Sequence, residues 1–358
     1  MTVHDIACWR LINQQIAGPK YNRPSETVSR LCAMQAQDYL AVLWSIGLRS
    51  RTGTEVDIEQ AIADRTVVRT WPMRGTLHFV CATDVHWLLQ LLTPTVIAAN
   101  RRRQEEQLEL DDKTLARCRA LITRALQGGR QLDRSAIYSL LEEQSISTDR
   151  QRGYHVLWRL AQEGVICFAA RDGKQPTFAL LEEWIGPAKR LDREEALARL
   201  AQRYFAGHGP ATVQDFAWWS GLKLSDARTG LEMIASTLRQ ETDGANIYWL
   251  DSESPISPPE AGAYLLPGFD EYLLGYNDRQ AAVEAKHAQK LTPDSNGRFL
   301  ATMVLKGRVI GTWKRTLTKK AVRITLEPFT SLSKAARQAF GLEVERYGKF
   351  IGLPVELG

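Results

Sequence analysis

The sequence lacks every cysteine pattern that would organise a fold or a metal site. Its five cysteines, Cys8, Cys32, Cys81, Cys118 and Cys167, are scattered, odd in number and never arranged C-x-x-C. They read as reduced, buried, small apolar side chains. The six histidines form no H-E-x-x-H pair, which removes that zinc-hydrolase spacing from consideration. There is no P-loop and no G-x-G-x-x-G, so nucleotide and dinucleotide chemistry have no motif to stand on, and neither metal nor cofactor is expected. No apolar run approaches the roughly 18–20 residues that cross a bilayer, and no charged segment leads into a short apolar one at the start. The expectation is a cytoplasmic protein without a membrane partner. A strong charge bias is also missing. The net charge of +5 is compatible with a nucleic-acid partner without requiring one.

What is present is an ordinary globular composition, 44% hydrophobic and 24% charged, over 358 residues, enough for two or three small domains. Three times, helical spacing gives way to a short hairpin. The first pass has helices over His4–Gln15, Glu26–Met34 and Asp57–Asp64, then strands Val67–Trp71 and Thr76–Val80. The second has Asp111–Gln127 ending at Gly128-Gly129, Asp133 capping Arg134–Gln144, and a helix capped by Thr148 or Asp149 that runs to Gly164. It closes in a hairpin, Val165–Ala170 with Thr177–Leu181, around an Asp-Gly turn. The third runs through Asp192–Ala206, Thr212–Ser220 and Ser225–Thr237 into Leu238–Thr242 and Ile247–Leu250. Three helices and a hairpin form the winged-helix order, a helix-turn-helix variant. A Ser/Pro-rich linker over Asp251–Pro259 separates these from β-rich texture: Ala263–Pro267, Phe299–Lys306, Arg308–Thr316 and Ala321–Pro328, before a helix at Ser331–Gly341. The expected class is α+β, with tandem winged helices at 1–110, 111–190 and 191–250 and a β-barrel-like domain at 260–358.

Basic residues concentrate in Lys306, Arg308, Lys314, Arg315, Lys319, Lys320 and Arg323, with no acidic residue between them. On strands, such charge makes a phosphate track, although Lys314 and Arg315 point to opposite faces. The second wing carries Arg171 and Lys174, the helix before it Arg150, Arg152 and Arg159, and the first wing turn Arg74. Candidate DNA contacts are therefore Arg74, Arg152, Arg171, Lys174, Lys314 and Arg315. His78 reads as a hydrogen-bonded core histidine and Trp71 as buried. Asp270 and Glu271 look like a carboxylate dyad but read as structural partners of arginines.

The most informative residues are Gln35 and Gln37. On a helix, positions i and i+2 point about 200° apart; in extended backbone they point the same way. The helix before them must therefore stop near Gln35 if both are to meet one ligand. Two amides offer carbonyl acceptors and NH2 donors without charge, which suits holding a water beside something positive. Asp38, next in line, points away from such a site and reads as a cap.

The run Met34-Gln35-Ala36-Gln37-Asp38, with Arg69-Thr70-Trp71-Pro72-Met73-Arg74-Gly75-Thr76-Leu77-His78-Phe79-Val80, resembles the AlkZ/YcaQ group of winged-helix DNA glycosylases. Leu266–Tyr276 and Gly307–Arg315 resemble that family's C-terminal β-domain. The resemblance implies tandem winged helices, a concave DNA-binding face, and Gln35 and Gln37 as the catalytic Gln-x-Gln pair of the crosslink-unhooking branch. The physics agrees. Breaking an N-glycosidic bond passes through an oxocarbenium-like transition state, and an N7-alkylated purine is already cationic, so its departure needs little acid. What remains is to place a water and present carbonyl dipoles to the developing cation, which neutral amides can do. No lysine lies near the pair in sequence, so a lyase step is not expected. The implied protein is a monofunctional enzyme, monomeric by default, acting on double-stranded DNA with alkylated purines. A non-enzymatic winged-helix transcription regulator and a protein-interaction scaffold remain open as alternatives.

Overall fold

In a computed structural model of the chain, all residues are described except 52, 189–190, 256–261 and 294–296. Part of the expected linker lies outside the described residues. The class is α+β. Two units result: Met1–Ile58 with Leu197–Gly358, and Glu59–Ala196.

In the first unit the helix Val3–Asn13 opens with a Thr2–Asp5 capping box. The next helix, Pro24–Leu31, stops three residues short of the expected Met34. Cys32 ends it with φ 65° and ψ −50°, close to the γ-turn of rare sense, which strains any side chain bearing a Cβ. Ala33–Gln35 is then a short strand. Asp38 caps the helix Tyr39–Arg49 by accepting from the Ala41 N–H at 3.1 Å. Sequence periodicity misses this helix because it is apolar on nearly every side; it is buried from Ala41 to Arg49. Trp44 donates through Nε1 to the Leu265 carbonyl at 2.7 Å, tying the helix to the C-terminal sheet.

Later in this unit Thr212 and Asp215 form a capping box on Val213–Ser220. Leu224–Ile234 follows, then the antiparallel ribbon Leu238–Thr242 with Ile247–Asp251, in the register expected of a hairpin around Asp243-Gly244. The C-terminal sheet orders its strands Val355–Leu357, Val322–Pro328, Arg308–Leu317, Thr302–Leu305, Ala263–Leu266. It is open: among the described residues its two outer strands do not pair, so the expected closure into a barrel is replaced by a sheet with two edges. The tight turn at Lys306-Gly307 holds, both residues having positive φ. The last helix is longer than expected, Lys334–Ile351, and buries Phe340, Val344, Tyr347 and Phe350.

In the second unit Val67–Met73 and Thr76–Cys81 pair through a turn at Arg74-Gly75, with φ of 54° and 70°. The sheet continues to Ile166–Phe168, Thr177–Leu180 and Leu132–Asp133. Ala82–Arg102 is a 21-residue helix that sequence reading passes over, because Pro94 interrupts its pattern. Asp133 caps Arg134–Glu143 as expected, and Asp111, expected inside its helix, is the cap of Asp112–Leu126. The next helix starts at Arg152 with Gln151 in the cap position that was expected of Thr148 or Asp149: Arg150 and Gln151 take positive φ and fall outside it.

Candidate active site around Gln35 and Gln37

Gln35 ends its strand half-buried, Ala36 is buried, and Gln37 is exposed in irregular backbone before Asp38 begins the next cap. Neither glutamine is helical, which is the condition the pair needed.

The strand is held from beneath by a residue 236 positions away. Glu271 Oε1 accepts from the Gln35 N–H at 3.0 Å. Its other oxygen accepts from Trp219 Nε1 at 2.9 Å and lies 3.3 Å from His208 Nε2. All three side chains are essentially buried. Tyr204 stacks on His208 with ring centroids 4.8 Å apart and donates through its hydroxyl to the Gly275 carbonyl at 2.8 Å. Gly275 is required there, since a Cβ would sit 2.6 Å from the His208 ring.

Glu271 is itself placed by its neighbour. Asp270 caps the short turn Glu271–Leu274 and receives both terminal nitrogens of the fully buried Arg49, at 2.8 and 2.9 Å. Ser45 Oγ donates to the same carboxylate at 2.7 Å; Gln14 accepts from Arg49 through its carbonyl and its Oε1, and the Ser45 carbonyl accepts from Arg49 Nη1 at 2.9 Å. Every donor of the guanidinium thus has an acceptor, as burial of a charge requires. Asp270 does pair with an arginine, as expected; Glu271 instead supports the glutamine strand. That role was missed because its partners come from three distant segments. The one sequence signal was its place in the block Leu266–Tyr276.

A cavity of about 170 Å³ opens beside Asp38, walled by Phe269, Arg298, Trp313 and Arg315. Phe269 holds φ +59°, a rare conformation for an aromatic residue. Gly268 precedes it because a Cβ there would meet the Phe299 carbonyl at 2.7 Å. Arg315 donates to the Tyr347 hydroxyl and lies over that ring at 5.7 Å. Burial raises the Tyr347 phenol above its ordinary value, with Arg315 opposing the shift. Lys314 goes the other way, to Glu327 at 2.6 Å, and stays largely exposed.

The other candidates belong to the second unit. Arg74 is half-buried, with its guanidinium 3.4 Å from His78 Nε2. His78 is fully buried and its Nδ1 lies 3.0 Å from the Thr76 carbonyl, the core position expected. Arg152 bonds to the carbonyls of Ser147, Leu108 and Glu109, and only 15% of its side chain is exposed. Arg171 is paired with Glu59 at 3.1 Å and donates to the Lys174 carbonyl at 2.8 Å. Lys174 is exposed in the hairpin turn.

Comparison with known proteins adds the decisive observation. The AlkZ-like DNA glycosylase family matches residues 28–350, spanning Gln35, Gln37 and Glu271. The chain belongs to the AlkZ-like DNA glycosylases. Members of this family are hydrolases acting on N-glycosyl bonds. A relative described as an interstrand DNA cross-link repair glycosylase, from Streptomyces sahachiroi, is 27% identical over 334 residues, covering 86% of each chain. The solved structure of Streptomyces sahachiroi DNA glycosylase AlkZ superposes with a TM-score of 0.82 at 22% identity over the full length of both, a likeness of fold. No helix among the described residues is long and apolar enough to cross a membrane, and no group of three or more His, Cys, Asp or Glu side chains there could hold a metal ion.

Proposed function

We propose that this AlkZ-like glycosylase hydrolyses the N-glycosidic bond of cationic N7-alkylated purines, including those joined in interstrand crosslinks. Gln35 and Gln37 hold the attacking water and offer their carbonyl dipoles to the oxocarbenium-like centre. The observation that carries this reading is the backbone of the pair: the helix ends at Leu31, and Gln35 follows in a strand pinned through its own N–H to buried Glu271. Fixing the backbone at Gln35 leaves only its side chain to be ordered when it orients a water. The crosslink substrate rests on the name of the Streptomyces relative. Under this reading the chain acts as a cytoplasmic monomer on duplex DNA. Three winged helices at 1–110, 111–190 and 191–250 and the β-domain at 260–358 supply the grip, through Arg74, Arg152, Arg171, Lys174, Lys314 and Arg315. Arg152 and Arg171 would have to exchange internal partners for phosphate. The mechanism needs no lysine nucleophile, so the product is an abasic site with the strand intact.

The test is incubation of the protein with a duplex containing 7-methylguanine, followed by detection of free base. Release is expected, with its loss in Gln35→Ala and in Gln37→Ala. A duplex containing uracil should yield nothing. Uracil release dependent on the same glutamines would overturn the mechanism, because a neutral base needs acid help the pair cannot give.

A further inference from the structure

Of the ten tryptophans, eight are buried and Trp249 is half-buried; Trp218 alone is exposed, at 36%. It lies on the helix Val213–Ser220, where consecutive side chains point about 100° apart. Its neighbour Trp219 is turned inward and donates to Glu271, the residue that holds the Gln35 N–H. One short helix therefore supports the candidate active site with one indole and shows the other to water.

A cation backs the exposed ring. Arg279 lies over the Trp218 ring and over the Phe299 ring, 4.9 Å from each centroid. Its Nε donates to the Leu273 carbonyl at 2.8 Å, so the guanidinium is already engaged and serves as a fixed support rather than as a phosphate ligand. Phe299, half-buried, also walls the cavity beside Asp38, the residue after Gln37. The row Trp218, Arg279, Phe299 thus ends at that cavity.

This arrangement selects its occupant. An indole with a guanidinium on one face gives up electron density to it and is a poor partner for a second positive charge. It remains a good partner for the π face of a neutral ring. In a DNA glycosylase the neutral planar ring at hand is an undamaged base, and stacking on an exposed aromatic side chain is how unpaired bases are held.

We propose that Trp218 is a stacking platform for one unpaired, uncharged base of the DNA. Every base has a π face, so the platform reads no sequence. A cationic lesion base is disfavoured there by Arg279. The proposal rests on DNA as the substrate and not on the roles of Gln35 and Gln37.

The test uses the full chain and two undamaged duplexes, one fully paired and one with a single unpaired 2-aminopurine, whose fluorescence falls when it stacks. The parent is expected to bind the second duplex more tightly and to quench the probe. Trp218→Ala, at an exposed position, should lose the quenching and weaken binding to that duplex about five- to a hundredfold, and to the paired duplex hardly at all. Trp218→Phe keeps a ring and should keep most of both. Quenching and affinity unchanged in Trp218→Ala overturn the proposal and leave the surface to a protein partner. Equal weakening on both duplexes also overturns it, since Trp218 would then touch DNA without holding a base. Base excision is not the readout, so failure here leaves the glutamine pair untouched.

Discussion

At the scale of single residues, the group that matters most after the two glutamines is Glu271. It accepts from the Gln35 N–H and from Trp219 Nε1 and faces His208, all within a buried pocket. Glu271→Gln would turn one acceptor into a donor against these partners. We expect a loss of about 1–3 kcal/mol in denaturant unfolding and a fall in the single-turnover excision rate on the order of a hundredfold, as expected of a misplaced reacting group. An excision rate unchanged in a folded variant would detach Glu271 from the glutamines. Asp38 gives the complementary case. It is the N-cap of Tyr39–Arg49, and Asn caps as well as Asp. Asp38→Asn should keep both stability and excision, whereas Asp38→Ala should cost about 1 kcal/mol. Loss of excision in the Asn variant would make the carboxylate the base. Lys20 carries the pH dependence. Burial, with Arg346 and Arg49 nearby, lowers its pKa to about 7, while Glu343 works the other way. Its unfolded value is about 10.4. Between these the unfolded chain binds the extra proton, so this residue's contribution to stability rises as pH goes from about 7 to about 10. Urea unfolding at several pH values in that window should show a shallower rise in Lys20→Met than in the parent.

At the scale of elements, the break at Cys32 is what takes Gln35 and Gln37 out of helical backbone, as the proposed mechanism requires. A β-branched residue tolerates φ near +65° poorly, so Cys32→Val, a swap of similar size, should destabilise by about 2 kcal/mol or more by thermal melting. A Val variant as stable as the parent would mean the turn is not strained. The second support is the bond set between Arg49 and Asp270. Asp270→Asn leaves a fully buried guanidinium without its counter-charge, and a loss of about 3–5 kcal/mol in unfolding free energy is expected. Elements with clear caps, such as Arg134–Glu143 behind Asp133 and Val213–Ser220 behind Thr212, were legible in the sequence because capping is local chemistry. Tyr39–Arg49 and Ala82–Arg102 were not. One is buried all round and loses its amphipathic period; the other runs through a proline that ordinarily breaks a helix.

At the scale of the whole molecule, the first unit is assembled from both ends of the chain. The glutamines come from the N-terminal piece and their support from the C-terminal one, so a truncation that removes residues 197–358 should lose excision outright. The basic run Lys306–Arg323 resolves into residues of different standing. Lys314 and Arg323 are ion-paired with Glu327 and Glu356, while Lys319 and Lys320 are exposed at the turn between two strands of the C-terminal sheet. If that turn meets DNA, Lys319→Ala with Lys320→Ala should lower the slope of log binding constant against log salt by about two. An unchanged slope would move the phosphate contacts elsewhere.

By itself the sequence supplied the proposed chemistry. Two uncharged amides at i and i+2 within a family-like run, no metal-ligand spacing and no nucleotide loop are what the proposed water-positioning pair rests on, and the helix caps mark most of the scaffold. The tertiary structure alone decided what holds the Gln35 backbone and which cations are already engaged. Glu271 reaches Gln35, and Arg49 reaches Asp270, across more than two hundred residues. Periodicity and capping report on neighbours within a few residues, whereas the partner of a buried charge is chosen by whichever distant segment folding brings to hydrogen-bonding distance.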